Sequence, residues 1–244
     1  TDLQATKQDD GSIIFTDSNK KVIYTLPKPY MVDSNVNPQS GEAERSEKVV
    51  YDLKTNTDGY ELILNADDSW LQDSKRKYPV YIDPTTEVEG VTNAYVSSAY
   101  PTNNYSGSKL WDSGQSSYLL KVGYYDGTTG TNYAYLKQDL SSFEGATVES
   151  ATFNVFDKWH YYADNPNGLW LDTVNAAWNP STITWNNKPS STNVTSTTVT
   201  RGKWASFDVT NTVQSWVNKT KPNYGFKLHT NENGQTYWKK VVSS

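Results

Sequence analysis

His160 and His229 are the only imidazoles in this 244-residue chain, and there is no cysteine. A Ser-His-Asp triad would have to use one of the two. Neither lies near a nucleophile elbow, and no G-x-S-x-G occurs. The lack of Cys removes thiolate nucleophiles, disulfides and Cys-type zinc sites together. H-E-x-x-H and phosphate-cradling glycine loops are missing too. Segment 125–130, YDGTTG, has the glycines but no lysine and no following helix, so it reads as a hairpin loop. Segment 163–172, ADNPNGLWLD, matches a calcium loop with Gly168 in sixth place. Its first ligand position then falls on Ala163, which offers no side-chain oxygen, so an EF-hand is rejected. A structural calcium held by loop carboxylates and carbonyls stays open, and no other cofactor is implied. A glycosidase needs two carboxylates across a cleft. Asp112, Asp126, Glu144 and Asp164 sit beside turn residues, where solvation accounts for them. The expectation is a chain without catalysis of its own.

Aromatic residues are the informative chemistry: 9 Trp, 18 Tyr and 6 Phe. Trp159-His160-Tyr161-Tyr162 runs straight into an Asn/Gly loop that leads to Trp170. A sugar ring has an apolar C–H face and a rim of hydroxyls, so an exposed indole or phenol can cover the face while amides and guanidinium bond the rim. Trp159, Tyr161, Tyr162, Trp170 and Trp238 are therefore the expected ligand-binding aromatics. Arg201, planar and able to make paired hydrogen bonds, is the expected cation. Trp185, Trp204 and Trp216 alternate with polar residues and read as core anchors, because most indoles must be inside. The partner this composition suits is a cell-wall polysaccharide or other surface glycan. A structural or protein-interaction module meeting a cell-surface receptor is the alternative, and a polysaccharide lyase or glycosidase the second.

The elements that must position these residues read as β. Short alternating runs recur at intervals of about ten residues between Gly, Asn, Asp, Pro and Ser clusters. Runs 12–15 and 22–26 form one hairpin, 48–54 and 60–66 a second across 56–59, and 77–82 a further strand. Asp67-Asp68-Ser69 before Trp70 predicts one short helical turn, and 34–47 reads as a loop. Asp83-Pro84-Thr85 places a boundary at 84–90. Beyond it, 92–98, 118–124, 133–140, 147–156, 168–174, 202–209, 225–230 and 236–242 give eight or nine strands. Val213, Trp216 and Val217 share one side of a helix that Thr210 caps. The expected fold class is all-β: a jelly-roll-type β-sandwich over 87–244, carbohydrate-binding-module-like, preceded by a smaller β-rich domain over 1–86.

The net charge of −5 lies wholly in residues 1–84, which hold 10 Lys+Arg against 15 Asp+Glu. Neither part is basic, so no nucleic-acid partner is expected of it. No run approaches the length of a membrane span, so no membrane insertion is expected. A chain that starts at Thr1, has a single Met and lacks Cys reads as a processed, monomeric piece of a protein secreted by a Gram-positive bacterium and associated with its cell wall.

Several segments of 78–244 taken in order resemble the DNRLRE domain, an extracellular bacterial β domain related to jelly-roll carbohydrate-binding modules. They are YPVYIDPT (78–85), NAYVSSAYPTNNY (93–105), YLKQDLSSF (135–143), VESATFNVF (148–156), ITWNNKP (183–189), WASFDVTNTVQSWV (204–217) and PNYGFKL (222–228). Asn93 stands where that family usually has Asp. Earlier, LPKPYMVDS (26–34), YELILNADDSWL (60–71) and KRKYPVYIDPT (75–85) are similar to the β-rich segment preceding such domains in wall-associated YD-repeat (Rhs-type) toxins. The resemblance implies an attachment or recognition module of a contact-dependent toxin. It also implies structural roles for the shared motifs: strand-to-helix capping at 207–210 and a Trp-packed turn at 184–187.

Overall fold

A computed structural model describes residues 3–36, 43–57, 59–83 and 91–242. The expected boundary at 84–90, Asp58 in the 56–59 turn and residues 37–42 of the expected 34–47 loop lie outside the described residues. The chain divides into two compact units, Thr1–Val88 and Glu89–Ser244.

In the first unit, β1 (Gln4–Lys7), β2 (Ile13–Thr16) and β3 (Val22–Leu26) form an antiparallel sheet in chain order. The β2–β3 turn is set by Asp17, whose Oδ1 accepts from the amides of Asn19 and Lys21 at 2.8 and 2.9 Å. A second sheet joins β4 (Tyr30–Val36), β5 (Ala43–Ser46) and β8 (Tyr81–Asp83) in the order β5-β4-β8. Part of the expected 34–47 loop is therefore strand. Arg76 ties the two strands of the ladder: Asp33 on β4 is 2% exposed and accepts from Arg76 Nη1 at 3.1 Å, while Arg76 Nη2 reaches Glu44 on β5 at 2.7 Å. Strands β6 (Val49–Asn56) and β7 (Gly59–Ala66) form a hairpin. The expected short turn is α1 (Asp68–Leu71), capped by Asp67, which accepts from Ser69 N. Ile13, Leu26 and Tyr51 make the small core, with Phe15, Leu53 and Leu64 packed on it.

The second unit is all-β apart from one helix and short 3-10 turns. Its strands are β9 (Thr92–Ser97), β10 (Trp111–Asp112), β11 (Ser117–Tyr124), β12 (Thr131–Lys137), β13 (Thr152–His160), β14 (Asn167–Val174), β15 (Ser191–Val199), β16 (Lys203–Asp208), β17 (Phe226–His229) and β18 (Lys239–Val242). One large sheet runs β15-β14-β17-β12-β11-β18-β13-β16, with β9 on β12 and β10 on β11. Its two end strands, β15 and β16, lie against each other, so the sheet folds over into a nearly closed jelly-roll sandwich. Interior side chains alternate along β13, β16 and β18, whereas β11 and β12 are buried on both faces over part of their length. Leu120, Val122, Val155, Ala205 and Val241 point in from one layer, and Leu169, Leu171, Ala134 and Leu228 from the other. Helix α2 (Thr210–Val217) closes one side with Val213, Trp216 and Val217, the face its spacing predicts. Asp208 Oδ1 accepts from Thr210 N at 3.0 Å, and Thr210 Oγ1 in turn accepts from Ala151 N at 3.0 Å.

Strand β15 lies outside the runs that alternation predicts. Its sequence, STNVTSTTV, has no apolar face, yet it pairs with β14 along its whole length. Threonine is β-branched and fits a half-exposed pleated surface without an apolar partner. A second, smaller core lies outside the sandwich. There Ala94, Val96, Tyr133, Tyr135, Val174 and Ile183 pack together, with Trp178 and Trp185 against them.

Candidate functional site: an aromatic surface on the sandwich

The layer β11-β18-β13-β16 carries the aromatic chemistry on its outer face. Val155 and Ala205 are partners across the β13–β16 ladder and point inward, so the next pair, Phe156 and Trp204, points outward. Their rings lie 5.5 Å apart at 67°. Trp204 is 68% exposed, the highest value for a large apolar side chain among the described residues. It is not the core anchor its alternation suggested. The register assigns Ala205, Phe207 and Val209 to the interior, which leaves Trp204, Ser206 and Asp208 for solvent. That pattern was legible in KWASFDV and is the signal that could have found the residue.

A register shift between Asp157 and Trp159 brings Trp159 opposite Lys240, on the same outer face, because Lys240 alternates with the buried Val241. The Arg201 guanidinium lies 4.8 Å from the Trp159 ring centre, and Lys240 Nζ 5.6 Å. A cation at such a distance is drawn to the ring's electron-rich face. Arg201 is itself held in place, donating from Nε (3.1 Å) and Nη2 to the His160 carbonyl. Lys240 Nζ reaches Asp112 at 2.7 Å. Burial raises the Asp112 carboxyl, but this ammonium, the Lys121 charge and the Gln115 amide together offset it and leave the group below the ordinary range.

Beyond β13 the chain continues into a knot of rings. Tyr161 stands edge-on to Tyr162 at 4.9 Å and to Tyr125 at 5.8 Å, and Tyr162 meets Tyr237 at 6.3 Å. Tyr161 is 46% exposed. Trp238 is 5% exposed, tilted against Tyr125 at 5.6 Å, and its carbonyl accepts from Tyr161 N at 3.0 Å. It backs the cluster instead of meeting solvent, which corrects its expected role as a stacking surface. Trp159, Tyr161, Tyr162 and Arg201 are thus gathered where β13 ends.

Trp170 is not brought to them. It projects from the outer face of the other layer, because Leu169 and Leu171 beside it point inward, and it stacks on His229 at 6.2 Å. His229 Nε2 and Lys227 Nζ converge on Asp172 at 3.0 and 2.9 Å, and Ser191 Oγ and Asn193 Nδ2 add hydrogen bonds. Burial raises Asp172, yet these partners outweigh it and hold its carboxyl far below the usual range. His229 is therefore committed to the Asp172 network. Asp172, the last acid of the 163–172 loop, is fully engaged. Among the described residues no group of three or more His, Asp or Glu side chains converges as a metal would require.

Solvent-facing rings flanked by cations thus stand on a β-sandwich whose two histidines are engaged with Asp157 and Asp172. Residues 84–241 match the model of carbohydrate-binding module family 96, and the chain belongs to that family. The whole chain is 51% identical over 246 residues to the tRNA nuclease WapA of Bacillus subtilis (strain 168), of which it covers 10%. The tRNA3(Ser)-specific nuclease WapA of Bacillus spizizenii matches at the same identity and coverage. A wall-associated protein of Geobacillus stearothermophilus is 58% identical over 45 residues, covering 18% of each chain. The chain thus spans about a tenth of the length of the WapA relatives it matches. No helix among the described residues is long and apolar enough to cross a membrane.

Proposed function

We propose that this chain is a non-catalytic glycan-binding module that attaches a secreted, contact-dependent toxin of a Gram-positive bacterium to cell-wall polysaccharide. The observation that carries this reading is the outward row Trp204, Phe156 and Trp159, with Arg201 and Lys240 beside it. Tyr161 and Tyr162 extend the row at the strand end. Rings of this kind cover a sugar face, and the neighbouring cations bond its oxygen atoms. Support also comes from the family, from the wall-associated and nuclease names of the relatives, and from the resemblance to the DNRLRE domain. The toxic chemistry belongs to parts of such proteins outside this chain.

The test is retention of the purified chain on wall polysaccharide and on a glycan array. Trp204→Ala and Trp159→Ala should each reduce retention while far-UV circular dichroism stays unchanged. No retention on any wall fraction overturns the reading, and capture of a protein receptor by the same surface replaces it with the interaction-module alternative.

A further inference from the structure

At one end of the sandwich interior an amine meets a primary amide, with a carboxyl near enough for its charge to act on the amine. Lys239 on β18 and Asp157 on β13 both point inward, as Val241 and Val155 beside them do, and both are 0% exposed. Asn167 opens β14 in the facing layer and shares the inward parity of Leu169 and Leu171. Lys239 Nζ is in contact with Asn167 Oδ1 and lies 3.3 Å from the Tyr237 carbonyl, and it makes no ion pair with Asp157. Asn167 Nδ2 donates to the Asn165 carbonyl at 3.1 Å, which turns the amide oxygen toward the amine. Asp157 Oδ2 is held by His160 Nδ1 at 2.5 Å, while its Oδ1 is buried without a hydrogen bond. A buried ammonium facing a side-chain amide instead of a carboxylate is costly.

We propose that Lys239 and Asn167 join in an intramolecular isopeptide bond across the two layers, formed in the folded chain with Asp157 as the proton-transferring group. The unprotonated Nζ attacks Asn167 Cγ, and the Nζ–Cγ bond forms as the Cγ–Nδ2 bond breaks. Protonated Asp157 gives its proton to the amide oxygen as attack begins and is reprotonated as Nζ releases one of its own. Asp157 passes that hydrogen to Nδ2, which departs as ammonia, and takes back its first proton as the Cγ–O carbonyl re-forms. One amine and one primary amide become one secondary amide and ammonia, so no oxidant, metal or co-reactant is needed.

The environment supplies the protonation states this requires. Burial lowers the Lys239 amine to about 8, only partly countered by the nearby Asp157 charge, so a share of it is a free nucleophile near neutral pH. Burial likewise raises the Asp157 carboxyl, and the His160 contact does not bring it back to the ordinary range. His160 and Arg201 are the other ionisable groups here, and Arg201 is tied to the His160 carbonyl.

Mass spectrometry of the purified full chain decides the matter. The intact mass should fall one ammonia below the sequence mass. Trypsin should fail to cut after Lys239 and release a branched peptide joining positions 167 and 239. Lys239→Ala and Asn167→Ala should each restore the full mass, as should Asp157→Ala in a chain that circular dichroism shows to be folded. A wild-type chain of full sequence mass overturns the proposal. So does ammonia loss confined to Asn167-Gly168, as a succinimide, with Lys239 still cleaved. Should Asp157→Ala unfold the chain, the wild-type branched peptide alone decides the bond. A folded Asp157→Ala chain that still carries the bond removes the role given to that carboxyl.

Discussion

Trp204 stands directly opposite Phe156 across the β13–β16 ladder, and the pair faces solvent while its neighbours Ala205 and Val155 are in the core. The indole is supported on one side and open on the other. Trp204→Ala removes little buried area, so it should change folding stability by less than about 1 kcal/mol. Loss of one stacking ring should weaken wall-polysaccharide binding about tenfold, the equivalent of roughly 1.4 kcal/mol. Thermal melts paired with binding isotherms separate the two effects. A variant that binds as the wild type does would leave Trp204 without a ligand role.

The opposite outcome is expected at Trp216. This indole on α2 is 9% exposed and packs on Phe226 at 4.8 Å. Trp216→Ala leaves a cavity where helix meets sheet and should destabilise the sandwich by about 3–5 kcal/mol. Denaturant unfolding would show this as a lower midpoint with little change in slope.

Gly225 has φ +83, and a Cβ there would meet the Leu136 carbonyl oxygen at 2.3 Å. The clash is with backbone of β12, which cannot move without breaking its ladder to β17. Gly225→Ala should therefore destabilise by more than about 1 kcal/mol, the ordinary cost of that backbone region for a side chain. Gly234→Ala is the control. It also has positive φ, but nothing lies within 4 Å of its Cβ position, so it should cost less. Comparison of the two melting temperatures checks this.

Asp172 predicts the acid limb of stability. Burial opposes its charge, but His229, Lys227 and Ser191 together hold its folded pKa below the unfolded one. A carboxyl depressed in this way contributes stability that is complete above its unfolded value of about 4. That contribution is lost as pH falls from there toward the lower folded value. Asp172→Asn should flatten the decline in melting temperature below about pH 4. An unchanged acid limb in the variant would assign the decline to other carboxylates.

Much of this architecture was readable from alternation and punctuation. The β2–β3 and β6–β7 hairpins, the Asp67-capped turn and the α2 face all follow from side-chain period and cap chemistry. What alternation could not show was pairing without apolar residues. Strand β15 is held by its ladder to β14 and β5 by its hydrogen bonds to β4, and neither has a hydrophobic face to read. At the candidate site the chain-local cluster Trp159, Tyr161 and Tyr162 was visible because it is contiguous. Trp204 and Lys240 join Trp159 only through β13–β16 and β13–β18 pairing, and the register shift after Asp157 decides which way Trp159 points. The places of Trp238, behind the tyrosines, and of Trp170, on the other layer, are not legible for the same reason. Their surroundings are made by strands distant in the chain.

The polar make-up of β15 has a consequence for crowding. It is an end strand that lies against β16 with no ladder between them, and a strand edge without a ladder is the usual invitation for another chain to add on. With Ser, Thr and Asn at nearly every position, such an addition would bury almost no oily surface and would gain little. Many copies of this module could therefore stand close together without zipping into fibrils.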